Sequence, residues 1–283
     1  VLNAIQDLMR PPPGMDFDFT QPPGEPALTP AGGVSWRVFA NPVSLFVGGV
    51  AAVLLELAEP SVRAGVWDHT GFRVDPVTRL RRTGFAAMMT VYGPRTAAEA
   101  LIARVTRMHA RVQGATPDGL PYRADDPRLL DWVHATATFG FASSYHRYVQ
   151  PLSALERDRA FAEGQASARL YGATGAPHSW AEWEALLART APTLEGSAIL
   201  AEFLRIMTAA PIVPAPLRPV QRLLVRAAVQ IVPEPVRSLP QLRGHGLRIG
   251  EAALVRALAR GGALLPLGDT PPRQAARRLG LAG

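Results

Sequence analysis

The sequence predicts an all-α fold, a single-domain helical bundle with a Pro-rich N-terminal arm. Three observations predict it. Beyond residue 33, apolar residues recur at helical spacing, whereas period-two runs of β-branched residues are rare and no hairpin signal stands out. Capping residues and prolines punctuate the chain at helix-length intervals. The 283 residues are 48% hydrophobic and 19% charged, so the chain can bury a large core and is too apolar to stay disordered.

The elements follow in order. Residues 11–33 are rich in Pro and Gly with few periodic apolar positions, which divides the chain into an extended arm over 1–33 and a helical domain over 34–283. Val43 to Leu55 carries no charge and is closed by Glu56. A bilayer span takes about 20 residues, so this run reads as a buried core helix. Helices are predicted over 43–58, 76–92, 97–113, 127–149, 154–171, 180–190, 197–209, 217–231 and 248–261.

Their starts have mechanisms. Asp75-Pro76 and Asp126-Pro127 place a carboxylate before a proline at the first helical position. Thr96-Ala-Ala-Glu99, Ser153-Ala-Leu-Glu156 and Ser179-Trp-Ala-Glu182 read as capping boxes, in which hydroxyl and carboxylate satisfy each other's backbone N–H groups. Gly93-Pro94, Gly114 and Gly172 stand where helices should stop. Prolines 211, 214, 216, 219, 233, 235 and 240 break the C-terminal part into short helices with rigid turns. No repeat at a solenoid period is visible.

Composition excludes whole function classes. Without cysteine there are no disulfides, Cys-ligated zinc sites, iron–sulfur clusters, thiolate-ligated haems or cysteine nucleophiles. All 30 cationic side chains are arginine, so a pyridoxal-phosphate Schiff base and a P-loop lysine are excluded too. The net charge is +7, but the arginines are dispersed and the densest group is Arg79, Arg81 and Arg82. That is a generally basic surface, and no nucleic-acid partner is expected. There is no Gly-x-Ser-x-Gly elbow, no His-Glu-x-x-His and no pair of Glu-x-x-His units. Gly244-His-Gly246-Leu-Arg-Ile-Gly250 has its third glycine one residue late and no strand before it, and reads as a turn.

Two helices carry the candidate chemistry. In the helix expected over 97–113, Leu101, Ile102, Val105, Met108 and Val112 project to one side, and Arg104, Arg107 and Arg111 to the other. His109 falls inside the apolar sector. A plain reading is a core histidine bonded to a neighbouring carbonyl. A sharper reading is a ligand to a metal or to haem iron, since neutral imidazole is a common choice for both. His134 raises the same question on a stripe with Leu130, Ala137, Phe141 and Tyr148. In the helix over 76–92, Arg79, Arg82, Thr83 and Ala86 share a face. The plain reading there is a solvated face with Asp75 pairing Arg79. The sharper one is a guanidinium and a hydroxyl aimed at an anion or at bound oxygen.

A longer pattern joins these segments. It runs through Ser35-Trp-Arg-Val-Phe-Ala-Asn-Pro42, Gly48-Gly49, Leu54-Leu-Glu-Leu-Ala-Glu-Pro60 and Gly65-Val-Trp-Asp-His-Thr-Gly-Phe72. It continues through Asp75-Pro76, Arg79-Leu-Arg-Arg-Thr83, Tyr92-Gly93, His109-Ala-Arg-Val-Gln-Gly114, Tyr122-Arg-Ala-Asp-Asp-Pro127 and Trp132-Val-His134. In order and spacing, over residues 34–250, it resembles the MpaB-type oxygenase family, related to the rubber oxygenase (latex-clearing protein) catalytic domain.

The resemblance implies an all-α fold holding haem b, whose iron uses dioxygen to cleave carbon–carbon double bonds in lipophilic, isoprenoid-like substrates. It implies His109, in Met108-His109-Ala110-Arg111-Val112, as the iron's axial ligand, and Arg79 and Thr83 as catalytic residues beside the haem. Arg79, Arg82 and His134 join His109 as expected cofactor contacts. Two departures stand out. Rubber oxygenase has a lysine before the threonine that can reach the distal iron position, where this chain has Arg82, and a guanidinium stays protonated. The family's glutamate base has no matching position, although Glu59 and Asp68 are near. The expected function is therefore a haem b-dependent oxygenase or oxidoreductase, cytoplasmic, with peripheral membrane contact as a further reading. The alternative is a non-catalytic helical protein that holds haem or a lipid.

Overall fold

The computed structural model describes residues 14–69, 71–264 and 268–281. Its centre is a pair of helices, α2 (Pro42–Ala58) and α6 (Pro127–Tyr148). Asn41 starts α2 by accepting from the Val43 and Ser44 N–H groups, both at 3.0 Å, and its own amide donates to the Ala259 carbonyl at 2.9 Å. The two helices meet at Gly48 and Gly140. A Cβ on Gly48 would stand 2.8 Å from the Gly140 carbonyl oxygen, and one on Gly140 would stand 2.5 Å from that of Gly48. Glycine is the residue that permits this approach.

The rest assembles around that pair. α1 (Val34–Phe39) precedes it and α3 (Pro60–His69) turns away from α2 at a bend of 112°. Buried Glu59 holds the bend by accepting from the Val62 N–H at 2.7 Å. α4 (Pro76–Tyr92) and α5 (Arg95–His109) pack on each other. After α6 come α7 (Ala154–Glu163), α8 (Gln165–Tyr171) and α9 (Trp180–Thr190). α10 (Ala198–Ala209) and α11 (Arg218–Ile231) pack against α2, followed by α12 (Glu234–Arg237), α13 (Glu251–Leu264) and α14 (Pro271–Arg278). Trp132 and Trp183 stack at 5.7 Å in the core beside Phe139, and Phe203 meets Phe72 edge-on in the same core. Each such aromatic stabilises by about 1.5–3 kcal/mol through burial.

Most expected elements are present, and the departures have physical causes. Asp75, Asp126, Ser153 and Ser179 cap their helices, and Ser153 and Glu156 complete a capping box, whereas the Glu182 carboxylate accepts from the His178 N–H and not from Ser179. Thr96 does not cap. α5 begins two residues earlier, at Arg95, and the Thr96 N–H and hydroxyl both donate to the Glu25 carboxylate, at 2.6 and 3.1 Å. The cap comes from the arm. α5 also ends at His109, not 113, because the chain then enters a hairpin that the sequence reading missed. β1 (Gln113–Ala115) pairs antiparallel with β2 (Pro121–Arg123), with Gly114 opposite Tyr122. Strands of three residues show no alternation to read. Gly114 is accordingly not a helix stop: a Cβ there would sit 2.7 Å from the Tyr122 hydroxyl. The helix expected over 154–171 is broken at Gly164. α1, α3, α12 and α14 were not anticipated. The segment 244–250 is a turn, as read.

Of the arm expected over 1–33, residues 1–13 lie outside the described residues. Residues 14–33 lie against the helices: Phe19 is buried with Trp36, Met88 and Tyr92. Arg278, 3% exposed, donates to the carbonyls of Phe19, Glu25 and Tyr92 at 2.7–2.8 Å. Among the described residues no single helix is long and apolar enough to cross a membrane. α2 and α3 pass on length and composition only as a bent pair, and Val47, Ala51, Leu54 and Leu55 of α2 are fully buried in protein.

Candidate functional site

α4 and α5 do not close onto the central pair. Between them lies a largely apolar cavity of about 2120 Å³, with further walls from α8, α11, α13, the arm and the residues leading into α14. Small-molecule pockets usually measure about 300–1,000 Å³, so this one has room for a large cofactor and a substrate together. The stripe expected on α5 explains it. Of that helix only Ala98 and Ile102 are buried, while Leu101, Val105 and Met108 line the cavity, and Met108 is 56% exposed. An apolar face with no protein against it marks a ligand site.

The structure brings all five expected site residues, Arg79, Arg82, Thr83, His109 and His134, to this one cavity. His109 is the last residue of α5. Neither of its ring nitrogens makes a hydrogen bond, and Nδ1 is sealed from solvent. Burial first, and then the Arg79 charge, lower its pKa, which keeps the imidazole neutral and able to ligate. His134, from the middle of α6, is held neutral by burial alone, at a pKa of about 4.

Arg79 does not pair with Asp75. The Asp75 carboxylate accepts from the Thr78 N–H at the start of α4, at 3.1 Å. The Arg79 guanidinium instead donates to the Thr83 hydroxyl and lies 5.7 Å from the Phe72 ring centroid. The Thr83 hydroxyl in turn donates to the Arg79 carbonyl at 3.0 Å. Arg81, Arg82 and Arg104 join Arg79 around the cavity.

Sequence reasoning missed one carboxylate. Glu56, the single charged residue of α2, faces the cavity without a hydrogen bond. Burial raises its pKa to about 7, with the Arg79 charge acting against the rise. The signal was present as one charge in a long apolar helix. The two carboxylates weighed from sequence sit elsewhere: Glu59 caps α3 and pairs with Arg128 at 3.6 Å, and Asp68 is exposed. His69 also lines the cavity, with Nε2 3.1 Å from the Tyr122 hydroxyl. His146 is structural, accepting from the Leu152 N–H at 2.8 Å, while His178 and His245 are exposed.

These residues fit a haem. Among the described residues no group of three or more His, Asp or Glu could hold a bare metal ion. An unbonded imidazole at the edge of an apolar wall, as at His109, suits an iron whose other ligands a macrocycle supplies. The neighbouring guanidinium groups suit its propionates.

Residues 36–263 match the family model described as ER-bound oxygenase mpaB/B'/Rubber oxygenase, catalytic domain. No curated protein and no solved structure matches the chain.

Proposed function

The chain belongs to the MpaB/rubber oxygenase catalytic-domain family, a family of oxygenases, and from that premise we propose that it is a haem b-dependent oxygenase acting on a lipophilic, isoprenoid-like small molecule. One observation carries this reading: the unbonded His109 imidazole at the edge of an apolar cavity large enough for cofactor and substrate. When bound, haem supplies an iron centre that reacts with dioxygen.

The chain's own residues do the rest. His109 holds the iron. Arg79, Arg81, Arg82 and Arg104 balance propionate charge, and Thr83 fixes the orientation of the Arg79 guanidinium. Val53, Val105, Met108 and Leu224 exclude water and align an apolar chain. Glu56, with a pKa of about 7, holds or releases one proton near neutral pH. A non-catalytic binder would need no such base, so a titratable carboxylate in the cavity favours the oxygenase reading.

The test is the visible spectrum of protein made with porphyrin supplied, beside His109→Ala. The wild type should carry a Soret band and the variant should lose it. Colourless wild-type protein, or full pigment in the variant, overturns the reading. Oxygen uptake by the reduced, pigmented protein with lipophilic alkenes then separates oxygenase from binder.

A further inference from the structure

His134 has an environment of its own. On the cavity side of α6 its neighbours are Leu130, Ala137, Thr138 and Phe141, none of them charged. Gly164, at the break between α7 and α8, lies against the ring: a Cβ there would come within 3.0 Å of Nε2 and 3.3 Å of Cε1. Gly164 has φ −76°, which any residue adopts, so the glycine is there for space and not for backbone freedom. The ring sits close against Gly164, and none of the described residues bonds to it. Nε2 is sealed and unpartnered, and Nδ1 is unpartnered as well. The hydroxyls near it are occupied. Thr138 donates to the His134 carbonyl at 3.0 Å and Ser167 to the Gly164 carbonyl at 2.9 Å. A buried imidazole without partners costs stability, and such groups are normally satisfied.

We propose that His134 is the polar anchor of the cavity and takes the hydroxyl of a lipophilic alcohol, so that one end of the molecule is fixed on α6. The identification of that molecule as the substrate rests on the oxygenase reading; the anchor itself needs only the cavity. The ligand class follows from the chemistry. The ring is neutral near pH 7, so it offers no charge to a carboxylate. Its tautomer is either N–H donor or lone-pair acceptor at Nδ1. A hydroxyl both donates and accepts, and so satisfies either form. A purely hydrocarbon ligand satisfies neither.

The experiment compares 1-dodecanol with 1-chlorododecane, in which the hydroxyl gives way to a group that neither donates nor appreciably accepts a hydrogen bond. Both are titrated calorimetrically into the full chain, and into His134→Phe and His134→Gln. The wild type should bind the alcohol at least about tenfold more tightly than the chloride. His134→Phe should abolish that preference, and His134→Gln should restore part of it, because an amide also donates and accepts. Gly164→Ala crowds the ring without altering it and should weaken the preference too; it decides the matter should His134→Phe fail to fold. Equal affinity for the two ligands in the wild type, no binding of either, or a preference that survives His134→Phe overturns the proposal. So does loss of pigment in porphyrin-supplied His134→Phe, which would make the residue a cofactor contact, as the sequence reading expected. A preference for the alcohol in protein that never acquires pigment would keep the anchor and remove the haem reading.

Discussion

The seam between α2 and α6 and the wall formed by α4 and α5 are written in the same sequence language but meet different partners. α2 offers an apolar face, and α6 fills it down to the contact between Gly48 and Gly140. α5 offers an apolar stripe of similar length, and across from it lies open space. Periodicity reports that a face must leave water. It does not report whether protein or a ligand will cover it. In this fold the first kind of face builds the scaffold and the second builds the site.

The comparison breaks most sharply at the seam. Gly140→Val forces a side chain against the Gly48 carbonyl oxygen, where neither backbone can yield without moving a whole helix. We expect a loss of about 3 kcal/mol, read from the midpoint of urea unfolding. The matching change on the wall, Val105→Ala, removes atoms that face the cavity and should cost only about 0.5 kcal/mol. Equal losses at the two positions would show that the wall is packed against protein after all.

The cavity also leaves an electrostatic mark that the seam does not. The pKa of Glu56 rises from 4.5 to about 7 on folding. The native state therefore binds more protons than the unfolded chain in that window, and this group's contribution to stability falls as pH rises through it, then levels off. His134 acts in the opposite sense. Its pKa falls from 6.5 to about 4, so its contribution rises with pH across that range. The two trends overlap, and the difference between wild type and Glu56→Gln isolates the carboxylate. The variant should gain stability relative to wild type as pH is raised from 4.5 towards 7, and hold that gain above it. A difference that does not change with pH would mean that Glu56 is solvated.

These contrasts explain what the sequence could say. The helices with local start signals, such as those opened by Asp75-Pro76 and Asp126-Pro127, were legible because the capping atoms are neighbours in the chain. The hairpin after α5 and the break at Gly164 were not, because the groups their glycines make room for are distant in the chain, the Tyr122 hydroxyl across the strand and the His134 ring from another helix. The same division holds in the site. His109 could be singled out from the stripe on its own helix. Glu56 could not be joined to Arg79 by spacing, since the two meet only across the cavity, with α3 between them in sequence.

The most local effect concerns how the wall is held in place. Pro94 precedes α5 and supplies no side-chain cap, so the first turn depends on Glu25, far away in the sequence. Its carboxylate accepts from the Thr96 N–H and hydroxyl, and the neighbouring Pro26 carbonyl accepts from the Arg95 N–H at 2.9 Å. The arm thereby ties down the end of α5 opposite to His109. Glu25→Ala should cost about 1 kcal/mol, the usual worth of a helix cap. Because the apolar stripe of α5 faces a cavity and not the central pair, the loss should be local. Amide hydrogen exchange should accelerate at Thr96, Ala97 and Ala98 and stay unchanged along α2 and α6. Faster exchange spreading into the seam would mean that wall and scaffold unfold as one unit, and would erase the distinction between them.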